Sequence, residues 1–484
     1  MIRKTTRRND MLYVNGKWIE STTNKMEVVN PASGEVIAAI STGGKKETNE
    51  AIASAEEAFS SWKKLPGPKR GKYLQRVVQL MRERVDELAE TITKENGKPL
   101  PDAKGEVISA IEYLNWYAEE AKRIYGDTLP ASHTDKQLLV LREPIGVCAA
   151  ITPWNFPLSM ITRKIAPALA AGCTVVLKPA EQTPLSAIRI FECFHDAHLP
   201  KGVVNLVIGA ANEIGTELTS HPAVRKLTFT GSTAVGKKLY RDSAATMKKV
   251  SMELGGHAPY IVFADADLDV AINGILLSKF KNAGQTCIST NRIYVAESIA
   301  EQFGKKLAEK VSELKIGNGL EEGVEIGPLI DQQAMKKVNE QIVDAVDKGG
   351  KVIHGGKEYE PKRGDGYFYE PTIVQHATED MKIASEETFG PVAPIFSFRT
   401  EEEVIEKANH ESYGLAAYCF TNDLGRGLRM IRELEFGIVG LNDPTPIVIQ
   451  APFGGVKESG IGNEGGKYGL DEYLEEKFVS IRTN

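Results

Sequence analysis

Between residues 146 and 244 the chain repeats one pattern four times, and that repetition constrains its fold more than any other feature. Apolar, β-branched runs at 146–151, 173–177, 203–208 and 227–230 alternate with helical patterns at 160–171, 184 onward, 213–220 and 234–244. Pro184 opens the second of these helices, as a first-turn proline often does. Strands that are apolar throughout and joined through helices predict a parallel sheet covered on both faces. Such sheets bind ligands beyond the carboxyl ends of their strands.

The flanking regions extend this α/β reading. Residues 48–62, 69–96 and 105–125 have the periodicity of amphipathic helices. After Gly255-Gly256 a second set begins, with a strand at 260–263, a helix over 268–282 and a strand at 292–296, and it continues to about Gly440. Residues 443–466 are rich in Gly and Pro and read as loop. Strand patterns near 137–141 and 477–481 fit neither sheet, so they are expected to pair with each other in an arm.

The 484 residues are 42% hydrophobic and 26% charged, enough for two or three domains with full cores. A net charge of -6 argues against nucleic acid, which requires a concentrated basic surface. The five cysteines (148, 173, 193, 287 and 419) form no C-x-x-C pair, so they suggest neither a zinc site nor a disulfide framework. A reducing, cytoplasmic location without membrane contact is the expectation. Arg3, Lys4, Arg7 and Arg8 are followed by no apolar h-region, which reads as a disordered extension and not a secretory signal.

Two glycine motifs mislead. Gly231 to Lys238 nearly matches a P-loop, but Lys238 stands where a magnesium-binding hydroxyl is needed. What survives is a phosphate cradle at a helix N-terminus. Gly460-Ile-Gly462-Asn-Glu-Gly465 fits G-x-G-x-x-G literally, yet it follows Lys457-Glu458-Ser459 and no apolar strand, so it reads as loop.

Chemistry concentrates around one cysteine. The stretch Gly284-Gln285-Thr286-Cys287 follows a helical pattern with small residues and then presents a thiol. A lone cysteine is more often a small buried hydrophobe. Two further pieces change that reading. Met252-Glu253-Leu254-Gly255-Gly256 sets an acid beside glycines, and Thr152-Pro153-Trp154-Asn155-Phe156-Pro157 follows the first sheet strand. Together with Lys178-Pro-Ala-Glu181, Phe229-Thr-Gly231-Ser232, Glu387-Thr-Phe389-Gly-Pro391 and Pro452-Phe453-Gly-Gly455, they resemble the aldehyde dehydrogenase superfamily over nearly the whole chain.

That resemblance implies a Rossmann-type cofactor domain over 1–130 and 146–256, an α/β catalytic domain over 257–450, and a small β oligomerisation arm from 131–145 and 465–484. It implies a homodimer or homotetramer. It also implies Cys287 as nucleophile, with the Asn155 amide and the Cys287 backbone N–H stabilising the oxyanion. Glu253 resembles the base that activates water against a thioester. Trp154, Gly231 and Ser232 look like the adenine and pyrophosphate end of a dinucleotide site. Leu254 matches the residue beside the nicotinamide, and Glu387 resembles the acid that holds the nicotinamide ribose. Lys178 and Glu181 match the pair that holds the adenosine ribose. Because a carboxylate repels a 2′-phosphate, Glu181 predicts NAD in preference to NADP. No metal is implied. His257 follows Glu253 at i+4, but the intervening glycines argue against a metal-binding helix.

Within the superfamily, Met160 to Lys164, residues 168–173, Glu253 to Pro259 and the tail from Tyr468 resemble the succinate-semialdehyde dehydrogenase branch. That branch holds the distal carboxylate with two arginines and a serine. Arg163 matches the first arginine, Lys281 stands at the second, and Ile447 falls at the serine position, near Phe453. Lysine loses the two-pronged contact and isoleucine loses a donor. The branch resemblance implies succinate semialdehyde as the substrate, and these two departures make a less polar aldehyde the alternative. Ser289 stands two residues after Cys287, where animal members carry a second cysteine, so that redox disulfide cannot form. A cofactor-independent cysteine hydrolase, a CoA-acylating enzyme and a non-catalytic protein are the competing classes.

Overall fold

The strands Val147–Ile151, Thr174–Lys178, Val204–Leu206 and Val224–Thr230 lie side by side and parallel, as their uniformly apolar sequences require. They form the middle of an eight-stranded sheet in a computed structural model that describes residues 11–20, 25–360 and 366–483. The basic N-terminal segment lies outside the described residues. Every side chain of Val147–Ile151 and Thr174–Lys178 is buried, because helices cover both faces. One face packs on a core that includes Trp62, Tyr113, Leu169 and Phe191; the other packs on Ile52, Leu218 and Leu239.

The edges of this sheet come from distant parts of the chain. The hairpin Leu12–Val14 and Lys17–Ile19 joins antiparallel to Val204–Leu206. At the far side Lys249–Glu253 pairs with Val224–Thr230, and Gly460–Ile461 closes the edge antiparallel to it. Gly460 of the G-x-G-x-x-G match is thus a sheet residue, and Gly465 precedes the short helix Gly466–Asp471.

A seven-stranded sheet forms the second unit, in the order Lys351–His354, Thr372–Gln375, Val392–Phe398, Thr290–Ala296, Ala258–Val262, Ala416–Phe420 and Ile438–Leu441. It has a separate core, among them Tyr260, Phe303, Ile342 and Phe396. The arm forms as the strand patterns predict. Lys136–Pro144 and Leu474–Arg482 pair antiparallel along nine residues, with Phe478 opposite Val140.

Four sequence expectations are corrected. The 69–96 helix is two, Gly67–Glu83 and Val85–Asn96, broken where Arg84 (φ -118°) turns to an ion pair with Asp196 at 2.6 Å. The 268–282 helix is α-helical only over Leu268–Ile275. It widens to a π turn at Leu276–Phe280, and Asn282 and Ala283 then take positive φ of 52° and 54°. The arm starts earlier than residue 131, because Asp127–Leu129 pairs with Lys136–Pro144. Residues 456–471 are not simple loop or arm. They add short strands, and Gly466–Asp471 packs on the helices Leu100–Glu120 and Ser159–Ala171 of the first unit.

Candidate active site

Parallel strands bring their carboxyl ends to one edge, and three of the sequence motifs meet there. Thr152 to Pro157 follows the strand ending at Ile151, Gly231-Ser232 follows Thr230, and Leu254 to Gly256 follows Glu253. A cavity of about 660 Å³ opens at this edge. Trp154, Asn155, Gly231, Ser232 and Leu254 line one side, and Glu387 and Cys287 the other. A second cavity of about 190 Å³ lies beyond Cys287, lined by Phe156, Arg163, Lys281, Ile447 and Phe453. Met160 and Cys287 line both, so the thiol stands where the two cavities meet.

The larger cavity fits a dinucleotide. Its volume suits a cofactor. Ser232 precedes the helix Thr233–Ser243 without a side-chain cap, which leaves its first amides for a phosphate. A Cβ on Gly231 would come within 2.4 Å of the Phe229 ring, so any larger residue must displace that ring. Glu387 Oε1 accepts from the Gly256 amide at 3.0 Å, and burial, partly offset by this bond, pushes its carboxyl up to about 7. Lys178 and Glu181 form an ion pair at 3.2 Å, but neither lines the cavity, which reaches only as far as Gln182 on that segment.

Burial, then the charges of Glu387 and Glu253, push the Cys287 thiol up to about 12. The resting group is therefore a thiol that must lose a proton to react. Glu253 is buried, and neither carboxylate oxygen has a hydrogen-bond partner among the described residues. Desolvation first, then Glu464, raises its pKa well above the usual range, while Lys164 and Arg163 oppose the shift. Glu253 lines neither cavity, although its charge acts on the thiol. Asn155 Nδ2 donates to the Gln285 carbonyl at 3.1 Å, and its Oδ1 has no hydrogen-bond partner among the described residues.

The Trp154-Asn155 loop is held by residues that sequence reasoning missed. Lys98 Nζ donates to the Asn155 carbonyl at 2.7 Å and to Glu106 Oε2 at 2.6 Å, inside a fully buried ion pair. Glu106 Oε1 accepts from the Leu158 and Ser159 amides, and Asn96 and Asn282 bind the Trp154 and Asn155 carbonyls. Lys98-Pro99 just before a helix was the available signal, but nothing local says that this lysine faces inward. His257 is a core residue: its Nε2 bonds the Ala384 carbonyl at 2.8 Å. Among the described residues, no cluster of three or more His, Cys, Asp or Glu is placed to hold a metal.

In the smaller cavity the Arg163 guanidinium lies between two aromatic faces, 4.9 Å from Tyr113 and 4.5 Å from Phe453. It is buried, its Nη1 is 3.8 Å from Glu464, and its Nε and Nη1 make no hydrogen bond among the described residues. Lys281 pairs with Asp102 at 3.5 Å. Ile447 adds apolar surface to the lining.

Comparison with known proteins accounts for this assembly. The Aldehyde dehydrogenase family model matches residues 18–479. The chain is 52% identical to a glutarate-semialdehyde dehydrogenase of Pseudomonas putida over 97% of both chains. It is 51% identical to the succinate-semialdehyde dehydrogenase [NADP(+)] GabD of Escherichia coli, again over 97% of both. The crystal structure of succinate-semialdehyde dehydrogenase from Burkholderia pseudomallei superposes with a TM-score of 0.96 at 48% identity, covering 98% of each chain. With a thiol at the meeting point of two cavities and this similarity over 97% of its length, the chain belongs to the aldehyde dehydrogenase family and is an NAD(P)-dependent oxidoreductase of aldehydes.

Proposed function

We propose that the chain oxidises succinate semialdehyde to succinate, using NAD in preference to NADP, through a covalent intermediate on Cys287. The observation that carries the substrate reading is Arg163: a buried guanidinium with unpartnered donors, opening into the cavity on the far side of the thiol. Leaving such donors unpaired is costly, and a carboxylate satisfies them in its own geometry. The relatives named for semialdehydes support the same substrate class, and they do not favour a less polar aldehyde.

The residues would act in a fixed order. Cys287 Sγ, once deprotonated, adds to the aldehyde carbon, and the carbonyl electron pair moves to oxygen. Asn155 Nδ2 and the Cys287 backbone N–H hold that oxyanion, while the Lys98–Glu106 pair keeps the Asn155 loop in position. Bound NAD(P) supplies the hydride acceptor. A thioester then remains on Cys287. Glu253 takes a proton from the attacking water, which cleaves the C–S bond and releases the acid and the thiol. A carboxylate desolvated as Glu253 is becomes the stronger base once ionised. This order is forced, because a thiohemiacetal has a hydride to give and a thioester has none.

The cofactor preference rests on Glu181. Its carboxylate would accept a free 2′-hydroxyl and repel a 2′-phosphate, and the ammonium of Lys178 is already paired with it. The E. coli relative is named for NADP(+), so the ratio of kcat/KM for the two cofactors is the decisive measurement. A higher value with NADP overturns this reading. We assign 1–126 with 146–256 to cofactor binding, 257–450 to catalysis, and the three-stranded sheet to assembly. Phe478 is 62% exposed on its edge strand Leu474–Arg482, which suits pairing with a second copy in a homodimer or homotetramer. Light scattering of Phe478→Lys tests this. Among the described residues, no helix is long and apolar enough to cross a membrane. Nicotinamide absorbance with succinate semialdehyde tests the whole reading. Full activity in Cys287→Ser would exclude the covalent route.

A further inference from the structure

The charges around the smaller cavity do not all stand in the same relation to a substrate. This inference rests on reading that cavity as the site of the aldehyde's distal carboxylate. Two cations line it, Arg163 and Lys281, and two acids, Asp102 and Glu106. Glu106 is committed elsewhere: it accepts from Lys98 and from two backbone amides, so its charge is balanced within the wall. Asp102 is different. Its ion-pair partner among the described residues is Lys281, at 3.5 Å.

We infer that Asp102 is a specificity-determining residue, which occupies Lys281 and sets how strongly the cavity discriminates in favour of anionic aldehydes. Its position explains why it does not simply move aside. Asp102 is in the first turn of the helix Leu100–Glu120, where the helix dipole favours a negative charge. Lys281 is half exposed on a flexible stem, whereas Arg163 is buried and clamped between two rings. An incoming carboxylate therefore meets Arg163 donors that make no hydrogen bond among the described residues, with Glu464 at 3.8 Å, but must compete with Asp102 for Lys281. Asp102 also repels that carboxylate directly. Both effects have the same sign, and neither acts on an uncharged aldehyde.

The test compares succinate semialdehyde with butanal, which has the same carbon count and no carboxylate, in wild type, Asp102→Asn, Arg163→Leu and Asp102→Asn/Lys281→Met. Asparagine keeps the shape of the side chain and removes the charge. The ratio of kcat/KM for succinate semialdehyde over butanal is expected to rise about threefold to tenfold in Asp102→Asn, through the KM of the acid semialdehyde, as removing one charge several ångströms away implies. In the double variant much of that gain should disappear. A ratio that stays level or falls in Asp102→Asn overturns the inference, as does a gain retained in full without Lys281. Failure of the underlying site reading looks different. Arg163→Leu would then leave the ratio at its wild-type value, and both would fall together.

Discussion

The two cavities that meet at Cys287 are built on different principles. The larger one is made by the ends of parallel strands, and its lining comes in short contiguous motifs: Trp154-Asn155, Gly231-Ser232 and Leu254-Gly255. The smaller one is assembled from single side chains on four separate segments: Asp102, Arg163, Lys281 and Ile447. Backbone placement dominates the first, and side-chain chemistry the second. A site of the first kind tolerates little change in its glycines, since a Cβ on Gly231 has no room beside Phe229. A site of the second kind can be retuned one residue at a time.

The largest effect is expected from the buried acid that lines neither cavity. Glu253→Gln should lower steady-state turnover by about 10²- to 10⁴-fold. If Glu253 serves only thioester hydrolysis, a rapid burst of reduced nicotinamide near one equivalent per active site will persist. Loss of the burst as well would give Glu253 a role in thiol deprotonation. Next comes the wall between the cavities. Lys98→Met leaves the Glu106 carboxylate buried without its cation, at a cost of about 3–5 kcal/mol, so thermal unfolding should shift down markedly. Wild-type stability in that variant would contradict the role given to the pair.

Arg163→Leu is expected to raise KM for succinate semialdehyde about 10- to 100-fold, from the loss of charge-assisted bonds, with a far smaller effect on the KM of NAD. An equal effect on both would mean that the two cavities are not separable. The smallest effect concerns pH. Glu387 would hold a ribose hydroxyl only as a carboxylate, and its pKa stands near 7. The KM of NAD should therefore be lowest above pH 7 and rise below it, approaching tenfold per pH unit at the acid end. In Glu387→Gln the slope should vanish; a slope that persists belongs to another group.

Much of the molecule was legible in the chain because its information is local. Apolar runs of strand length alternating with helices require a covered parallel sheet, and the arm strands near 137 and 477 stood out because they fitted neither set. The misreadings also have local causes. The pattern over 69–96 runs through Arg84, where the helix breaks and the side chain pairs across the fold with Asp196. Likewise the segment 268–282 has no proline and one glycine, Gly274, yet the chain widens after Ile275 and then turns left-handed at Asn282 and Ala283 before Cys287.

The sequence by itself determined the fold class, the family resemblance and the set of residues proposed to carry the reaction, because each depends on residue type and spacing along one segment. Tertiary structure alone decided which charges neutralise one another. Lys98 with Glu106 inside the wall, and Asp102 with Lys281 at the cavity, are pairings that no spacing rule predicts, since electrostatic coupling depends on distance and burial in space. It also decided that, among the described residues, both Glu253 oxygens and the Arg163 Nε and Nη1 donors make no hydrogen bond although they are buried. The reaction was therefore readable from segments, whereas the preference among aldehydes depends on how distant segments pack.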